Sequence, residues 1–253
     1  MTYECILYEK KEAIAIITLN RPHVLNAMNK RLWIDIEQAL ADTCEDDSVR
    51  VVIFTGAGRA FSTGADLKDS RGRSPEDYQD YLIHLQKISR QIINCCKPTI
   101  AAVNGFALGS GYELALACDI RIAADVAIFG SPEARVSSSV TGGAMRLLQD
   151  LVGTGKAREL LFTCEYIDGK EAERIGLVNR VVPLERVMEE TFAMANKIAA
   201  NSSHSISLIK KGLNMASEVN LEALMDYEIE ACLAAVSTAE RSDKLEEFAR
   251  RGK

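Results

Sequence analysis

The sequence predicts an α/β core followed by a helical region, on two observations. Between residues 14 and 123, short β-branched runs alternate with amphipathic segments, the pattern of strands joined by helical crossovers. Beyond about residue 140, nearly every segment carries helical periodicity instead. No Pro/Gly/Ser-rich linker separates the two regions.

Taken in order, Ile14 to Leu19 (IAIITL) and Arg50 to Thr55 (RVVIFT) fit strands. Between them, Asn29 to Ala41 places Leu32, Trp33, Ile36 and Leu40 at helical spacing, with Asn29 as a cap. A polar stretch from Gly56 to Ser74 follows, and Pro75 opens a helix at its first position. That helix is expected to run towards Cys96, with Leu82, Leu85, Ile88 and Ile92 inward. Lys97-Pro98 breaks it, and Thr99 to Val103 returns as a strand. A glycine-rich turn, a helix from about Ser110 to Ala117 and a strand around Asp119 to Ala123 complete the core pattern. Helices are then expected at Arg146 to Val152, Lys156 to Thr163, Gly169 to Ile175, Leu184 to Ala200, Ser205 to Ala216 and Leu221 to Arg250. The division is residues 1–195 as α/β core and 196–253 as helical region. The last helix carries Leu221, Leu224, Met225, Ile229 and Leu233, so the region must pack on the core or on a neighbouring subunit.

Composition narrows the function classes. The chain has 253 residues, 47% hydrophobic but only 6% aromatic, so its core is aliphatic. With 30 basic and 36 acidic residues the net charge is −6, which gives a nucleic-acid backbone no general footing. Seven cysteines, an odd number, form no C-x-x-C pair, and three histidines form no zinc motif. No metal site and a reducing, cytoplasmic setting are therefore expected. The opening MTYECILYEKKEAIAI mixes acids and bases, unlike a signal peptide. No run approaches the ~18 apolar residues of a membrane span.

Gly-rich turns raise nucleotide readings, which fail on spacing. GTGKA at Gly153 to Ala157 has Asp150 where the P-loop needs its first glycine and Ala157 where it needs a hydroxyl. GAGRAF and GSGYEL put Phe61 and Leu114 where a dinucleotide fingerprint needs its third glycine. No G-x-S-x-G elbow occurs.

Two segments resist a purely structural reading: GRAFSTGADLK (58–68) and PTIAAVNGFALGSGYELALACD (98–119). Gly109 and Gly111 in a strand-to-helix turn let backbone N–H groups approach a ligand, and the helix dipole adds positive potential there. Two such N–H groups from separate loops can bind a developing oxyanion. Glu113 lies one turn into that helix, and Glu133 in FGSPEARV follows another strand end.

These segments resemble the enoyl-CoA hydratase/isomerase family, the crotonase superfamily. The resemblance also takes in ITLNRPHVLNAMN, KPTIAAVNGFALGSGYELALACDIRIAADVAIFGSPE and IDGKEAERIGLVNRVVP, and so covers nearly the whole chain. It implies a spiral of ββα repeats with a C-terminal helical region, assembled as a homotrimer or homohexamer. It implies an acyl-CoA thioester as substrate, with no cofactor beyond the CoA that is part of it, and no nucleic acid or membrane as partner. The oxyanion-hole N–H groups would belong to Ala65 and Ser110, the latter commonly glycine in the family. Leu25, Ala27, Ala65, Asp66, Leu67, Lys68 and Gly109 would contact substrate or CoA. Glu113 would activate water for attack at the β-carbon, and Glu133 would deliver a proton to the α-carbon. Having both glutamates favours an enoyl-CoA hydratase. The alternatives are a double-bond isomerase using Glu133 alone, or a non-catalytic or RNA-associated member of the fold. One departure stands out: ARVSSSVTGGA is one residue shorter than the family's loop and lacks its proline. With Ser110, that shorter loop predicts a functionalised or branched acyl group in place of a crotonyl group.

Overall fold

The structure is a computed structural model that describes residues 3–70, 74–238, 241 and 250. It opens with strands β1 (Ile6–Lys11) and β2 (Ile14–Leu19), helix α1 (Lys30–Glu45) and strands β3 (Val51–Gly56) and β4 (Ala60–Ser62). Helices α2 (Leu67–Ser70) and α3 (Pro75–Ile93) lead to β5 (Thr99–Val103), β6 (Phe106–Leu108) and α4 (Ser110–Ala117). Strands β7 (Ile120–Ala124) and β8 (Ile128–Gly130) precede a 3₁₀ turn at Glu133–Val136 and helix α5 (Ala144–Thr163). The chain continues through β9 (Ile167–Asp168), α6 (Gly169–Arg174), β10 (Arg180–Val182), α7 (Val187–Ala199), α8 (Ser203–Met215) and α9 (Leu221–Val236).

Two sheets organise these elements. The larger has the order β1-β2-β3-β5-β7-β10, and the smaller β4-β6-β8-β9. Every pairing in the larger sheet is parallel except β1 with β2. In the smaller sheet β4, β6 and β8 run parallel, and β9 is antiparallel. Each successive pair (β3 with β4, β5 with β6, β7 with β8) thus gives its first strand to the large sheet and its second to the small one. The first strands are long and buried: all five residues of β5 and the first five of β3 are inaccessible, as central parallel strands require.

Local signals account for most helix starts. The Asn29 side chain accepts the Leu32 N–H at 2.9 Å, and Ser74 and Asp77 form a reciprocal capping box ahead of Pro75. The apolar faces then find partners. Leu32, Trp33, Ile36 and Leu40 of α1 are buried with Leu85, Ile88 and Ile92 of α3 in one core, where α1 packs on α3 and α7 lies across β2, β3, β5 and β7.

Several expectations need correction. Helix α3 stops at Ile93, not near Cys96, because Asn94 leaves helical geometry ahead of the Lys97-Pro98 break. By contrast, the two helices expected at 146–152 and 156–163 are borne out: helical geometry breaks at Gly153, whose φ is +78°, and resumes beyond it. The last helix ends at Val236 rather than Arg250, and residues 239–240 and 242–249 lie outside the described residues. Strands β1, β4, β6, β9 and β10 were not expected. All but β1 are two or three residues long, too short for a period, and β1 is an edge strand whose LYEKK reads as polar surface.

Helix α7 crosses residue 195 and packs on the large sheet. Helix α8 is tied to the core by Lys210, whose ammonium donates to Asp119 at 2.7 Å and to the carbonyls of Ile92 and Lys97. Helix α9 has no buried residue; Leu221, Met225, Ile229 and Leu233 form an exposed apolar stripe. No helix among the described residues is long and apolar enough to cross a membrane.

Candidate active site

The three strands of the small sheet that follow the large one, β4, β6 and β8, run parallel and end together. Thr63 to Asp66 follow β4, Gly109 and Ser110 follow β6, and Ser131 to Glu133 follow β8. Parallel α/β sheets present their binding loops at the carboxyl ends of strands. Here that edge opens into a cleft of about 760 Å³. It is lined by Ala27, Ala65, Asp66, Leu67, Lys68, Gly109, Ser110, Glu113 and Glu133, with Tyr81, Leu82 and Leu85 of α3 as an apolar wall.

Gly64 brings two of the loops together. Its φ is +90°, and a Cβ there would come within 2.8 Å of the Leu108 carbonyl oxygen and 3.1 Å of the Ser110 nitrogen. Only glycine permits this approach. The next residue, Ala65, pairs in parallel with Met28 through Met28 N–H to Gly64 O at 2.8 Å and Asp66 N–H to Met28 O at 3.0 Å. In that ladder the intervening Ala65 turns its own N–H to the opposite side. Ser110 is the first residue of α4, where an N–H has no partner within the helix. Neither N–H donates to another group among the described residues. Two free donors from adjoining loops, one at a positive helix end, suit a carbonyl oxygen that gains charge.

The first-strand loop is braced from beneath. Buried Asn26 accepts the Arg21 N–H and donates to the carbonyls of Ala57 and Ala60 at 2.9 and 2.8 Å. Arg21 in turn donates to Asp66 at 2.9 Å and to the Ala27 carbonyl. Asp66 is pushed up by burial, but Arg21 and the Lys68 N–H more than offset this and hold it below its ordinary value. Leu25 does not line the cleft; its carbonyl accepts the Thr63 N–H at 3.1 Å and holds the loop from behind.

The two carboxyl groups, 20 positions apart in sequence, face the same cleft as Ala65. Glu113 is 3% exposed. Its Oε1 accepts the Thr141 N–H and its Oε2 accepts the Thr141 hydroxyl at 2.7 Å. Burial holds its pKa above the ordinary carboxylate value, and the Thr141 groups together with the Ser110 hydroxyl offset only part of that rise. Glu133 has the opposite surroundings. Its Oε2 is buried with no hydrogen-bond partner, and burial, opposed by its own N–H and reinforced by the Glu113 charge, pushes its pKa up to about 7. A Cβ on Gly109, where φ is +51°, would meet Glu133 Oε1 at 3.0 Å. The Glu133 carboxyl therefore lies against the peptide that carries the Ser110 N–H. One carboxyl group is thus held at both oxygens and the other has a buried oxygen without a donor, an asymmetry that suits proton transfer in two roles.

The sequence reading did not single out Thr141, Arg21 or Asn26. Thr141 and Arg21 stand within the quoted segments ARVSSSVTGGA and ITLNRPHVLNAMN, but their partners lie 28 and 45 positions away, so spacing carries no signal for them. A second cavity of about 340 Å³ lies on the other side of Ser138 and Ser139. It shares Glu133 with the cleft and continues between Ser131, Val140, Met145 and Leu161. Among the described residues, no group of three His, Cys, Asp or Glu side chains could hold a metal ion.

Comparison with known proteins gives a consistent result. Residues 9–253 match the family model described as enoyl-CoA hydratase/isomerase. The chain is 37% identical over 249 residues to a crotonyl-CoA hydratase of Syntrophomonas wolfei, covering 98% of this chain and 96% of that protein. It is 36% identical to a short-chain-enoyl-CoA hydratase of Clostridium acetobutylicum, covering 96% and 94%. Its structure is similar to a crystal structure of an enoyl-CoA hydratase from Bacillus anthracis, with a TM-score of 0.95, 33% identity and coverage of 98% and 97%.

Proposed function

The chain belongs to the enoyl-CoA hydratase/isomerase family, and we propose that it adds water across the 2,3 double bond of an enoyl-CoA thioester. The observation that carries this reading is the pairing of Glu113 and Glu133 in one cleft with the free Ala65 and Ser110 N–H groups.

The thioester carbonyl oxygen accepts from the Ala65 and Ser110 N–H groups, and the CoA portion lies along Ala27 and Ala65 to Lys68. Glu113, oriented by Thr141 and acting as its carboxylate, takes a proton from water as the water oxygen bonds to the β-carbon. The π electrons of the double bond move towards the carbonyl, and negative charge gathers on its oxygen between the two donors. Each donor contributes about 3–4 kcal/mol to that transition state. Glu133 lies beside the Ser110 peptide, hence beside the α-carbon of a bound thioester, and delivers its proton there. Water has then been added, Glu113 is protonated and Glu133 ionised, and proton exchange with solvent restores both. The reaction moves no electrons to or from an acceptor, so no cofactor beyond the substrate's CoA is needed.

The setting follows the same reading. The exposed apolar stripe on α9 suits burial against further copies of the chain, in a homotrimer or homohexamer. Seven free thiols suit the cytoplasm.

Loss of enoyl absorbance with crotonyl-CoA and related thioesters tests the function. Glu113→Gln is expected to abolish hydration and Glu133→Gln to disable it as well. Hydration that persists in Glu113→Gln overturns the reading, and retained double-bond migration in that variant supports an isomerase.

A further inference from the structure

Beyond the C-terminal end of α3, two cysteines meet. Cys44 is in the last turn of α1, and Cys95 lies just past the end of α3. Their sulfurs are 3.6 Å apart although the residues are 51 positions apart. The other buried cysteines behave differently: Cys118 and Cys164 donate to backbone carbonyls of their own helices and Cys5 approaches Asn29. A cavity of about 690 Å³ reaches Cys95, and it is lined by Cys96, Arg90, Lys210 and Lys211. Cys44 is exposed.

The surroundings assign different chemistry to the two sulfurs. Cys95 accepts from the Cys44 thiol; burial opposes the effect, while the Lys97 N–H and the Lys210 charge add to it, and its pKa falls below the ordinary thiol value. Cys44 is pushed up, first by donating to Cys95 and then by burial. A thiol of lowered pKa that borders a cavity and has a second thiol in contact, with Arg90 and Lys211 beside Glu218 in the lining, is placed as a redox-responsive cysteine is.

We propose that Cys44 and Cys95 are a redox-responsive thiol pair that closes to a disulfide when the protein meets a peroxide. The Cys95 thiolate attacks one peroxide oxygen, the O–O bond breaks, and sulfenic acid and hydroxide form. The Cys44 sulfur then attacks the Cys95 sulfur and forms the S–S bond. The sulfenic oxygen leaves as water, taking up the Cys44 proton. The hydroxide takes up the proton that Cys95 gave up on ionising, so two thiols are oxidised and one peroxide becomes two waters in all. The bond joins α1 to the end of α3, whose earlier turns present Tyr81, Leu82 and Leu85 to the cleft.

The test is exposure of the full protein to dilute hydrogen peroxide, then denaturing alkylation, peptide mass mapping and thermal unfolding. The expected product is lighter by two hydrogen atoms and contains a linked Cys44–Cys95 peptide. Its unfolding midpoint is higher by several degrees, because the closed loop restricts the unfolded chain, and dithiothreitol reverses the change. Cys44→Ser and Cys95→Ser each eliminate the link, and Cys96→Ser retains it. Should Cys95→Ser fail to fold, the wild-type map and exposed Cys44→Ser still decide. A link through Cys96, over-oxidation of Cys95 without a link, or full alkylation of all seven cysteines overturns the proposal.

Discussion

Thr141 holds both oxygens of the Glu113 carboxyl group, the backbone N–H on Oε1 and the hydroxyl on Oε2 at 2.7 Å, across 28 positions of sequence. A carboxylate held at both oxygens has its direction fixed and its ionised form favoured. Thr141→Val keeps the volume and the N–H but removes the hydroxyl donor. The expected outcome is a ~10- to 100-fold loss of kcat, on the scale of one hydrogen bond to a charged group, with the acidic limb of the pH profile moved upwards. Thr141→Ser is expected to recover most of both. Equal profiles in Val and Ser variants would remove Thr141 from the mechanism.

The pH behaviour of Glu133 has a defined sign. As the acid that donates to the α-carbon, it must be protonated, so hydration is expected to fall as pH rises past its pKa of about 7. The same shift is linked to stability. The folded state binds this proton more tightly than the unfolded state, so between the unfolded value of 4.5 and about 7 stability decreases with rising pH. Glu133→Gln removes that loss, and it is expected to be more stable than the parent at pH 8 by ~1–2 kcal/mol, after discounting for partial exposure. Chemical denaturation at pH 5 and 8 measures it.

Arg21 braces the loop that carries Ala65 and Asp66. It joins Asp66 to the Ala27 carbonyl with side chains only 16% and 14% exposed for the ion pair. Arg21→Ala leaves Asp66 without its cation and loosens the loop that carries Ala65. A raised KM for the CoA thioester and a lowered kcat are expected, together with ~1–3 kcal/mol of lost stability. Steady-state kinetics and urea unfolding separate the two effects.

Ser110 and the short loop bear on the acyl group. Ser110 is 8% exposed, its hydroxyl is turned to Glu113, and beyond Ser138 and Ser139 lies the second cavity. Branched or functionalised enoyl-CoA thioesters are expected to give a higher kcat/KM than crotonyl-CoA. A maximum at crotonyl-CoA that Ser110→Gly leaves unchanged would show that neither departure tunes the substrate.

The α9 stripe predicts assembly. Light scattering at micromolar concentration is expected to give a multiple of 27.8 kDa, three or six chains. Glu substitutions at Ile229 and Leu233, 61% and 62% exposed, are expected to shift it towards the single chain.

The sequence alone determined the longer elements, because their cause is local: a period of apolar side chains, an Asn29 or Ser74 cap, a Lys97-Pro98 break. It also singled out Glu113 and Glu133, and the family resemblance, carried by contiguous stretches, implied Ala65 and Ser110 as the backbone donors. Tertiary structure alone decided what those residues face. The strands β4, β6 and β9, two or three residues long, exist because neighbours in the small sheet supply their hydrogen bonds, and no intrinsic period marks them. The different surroundings of the two glutamates are likewise a product of packing. Thr141 arrives at Glu113 from a distant loop, whereas Glu133 Oε2 is buried without a donor. Solvent exclusion and hydrogen bonding act through space, so neither can be read from the order of residues along the chain.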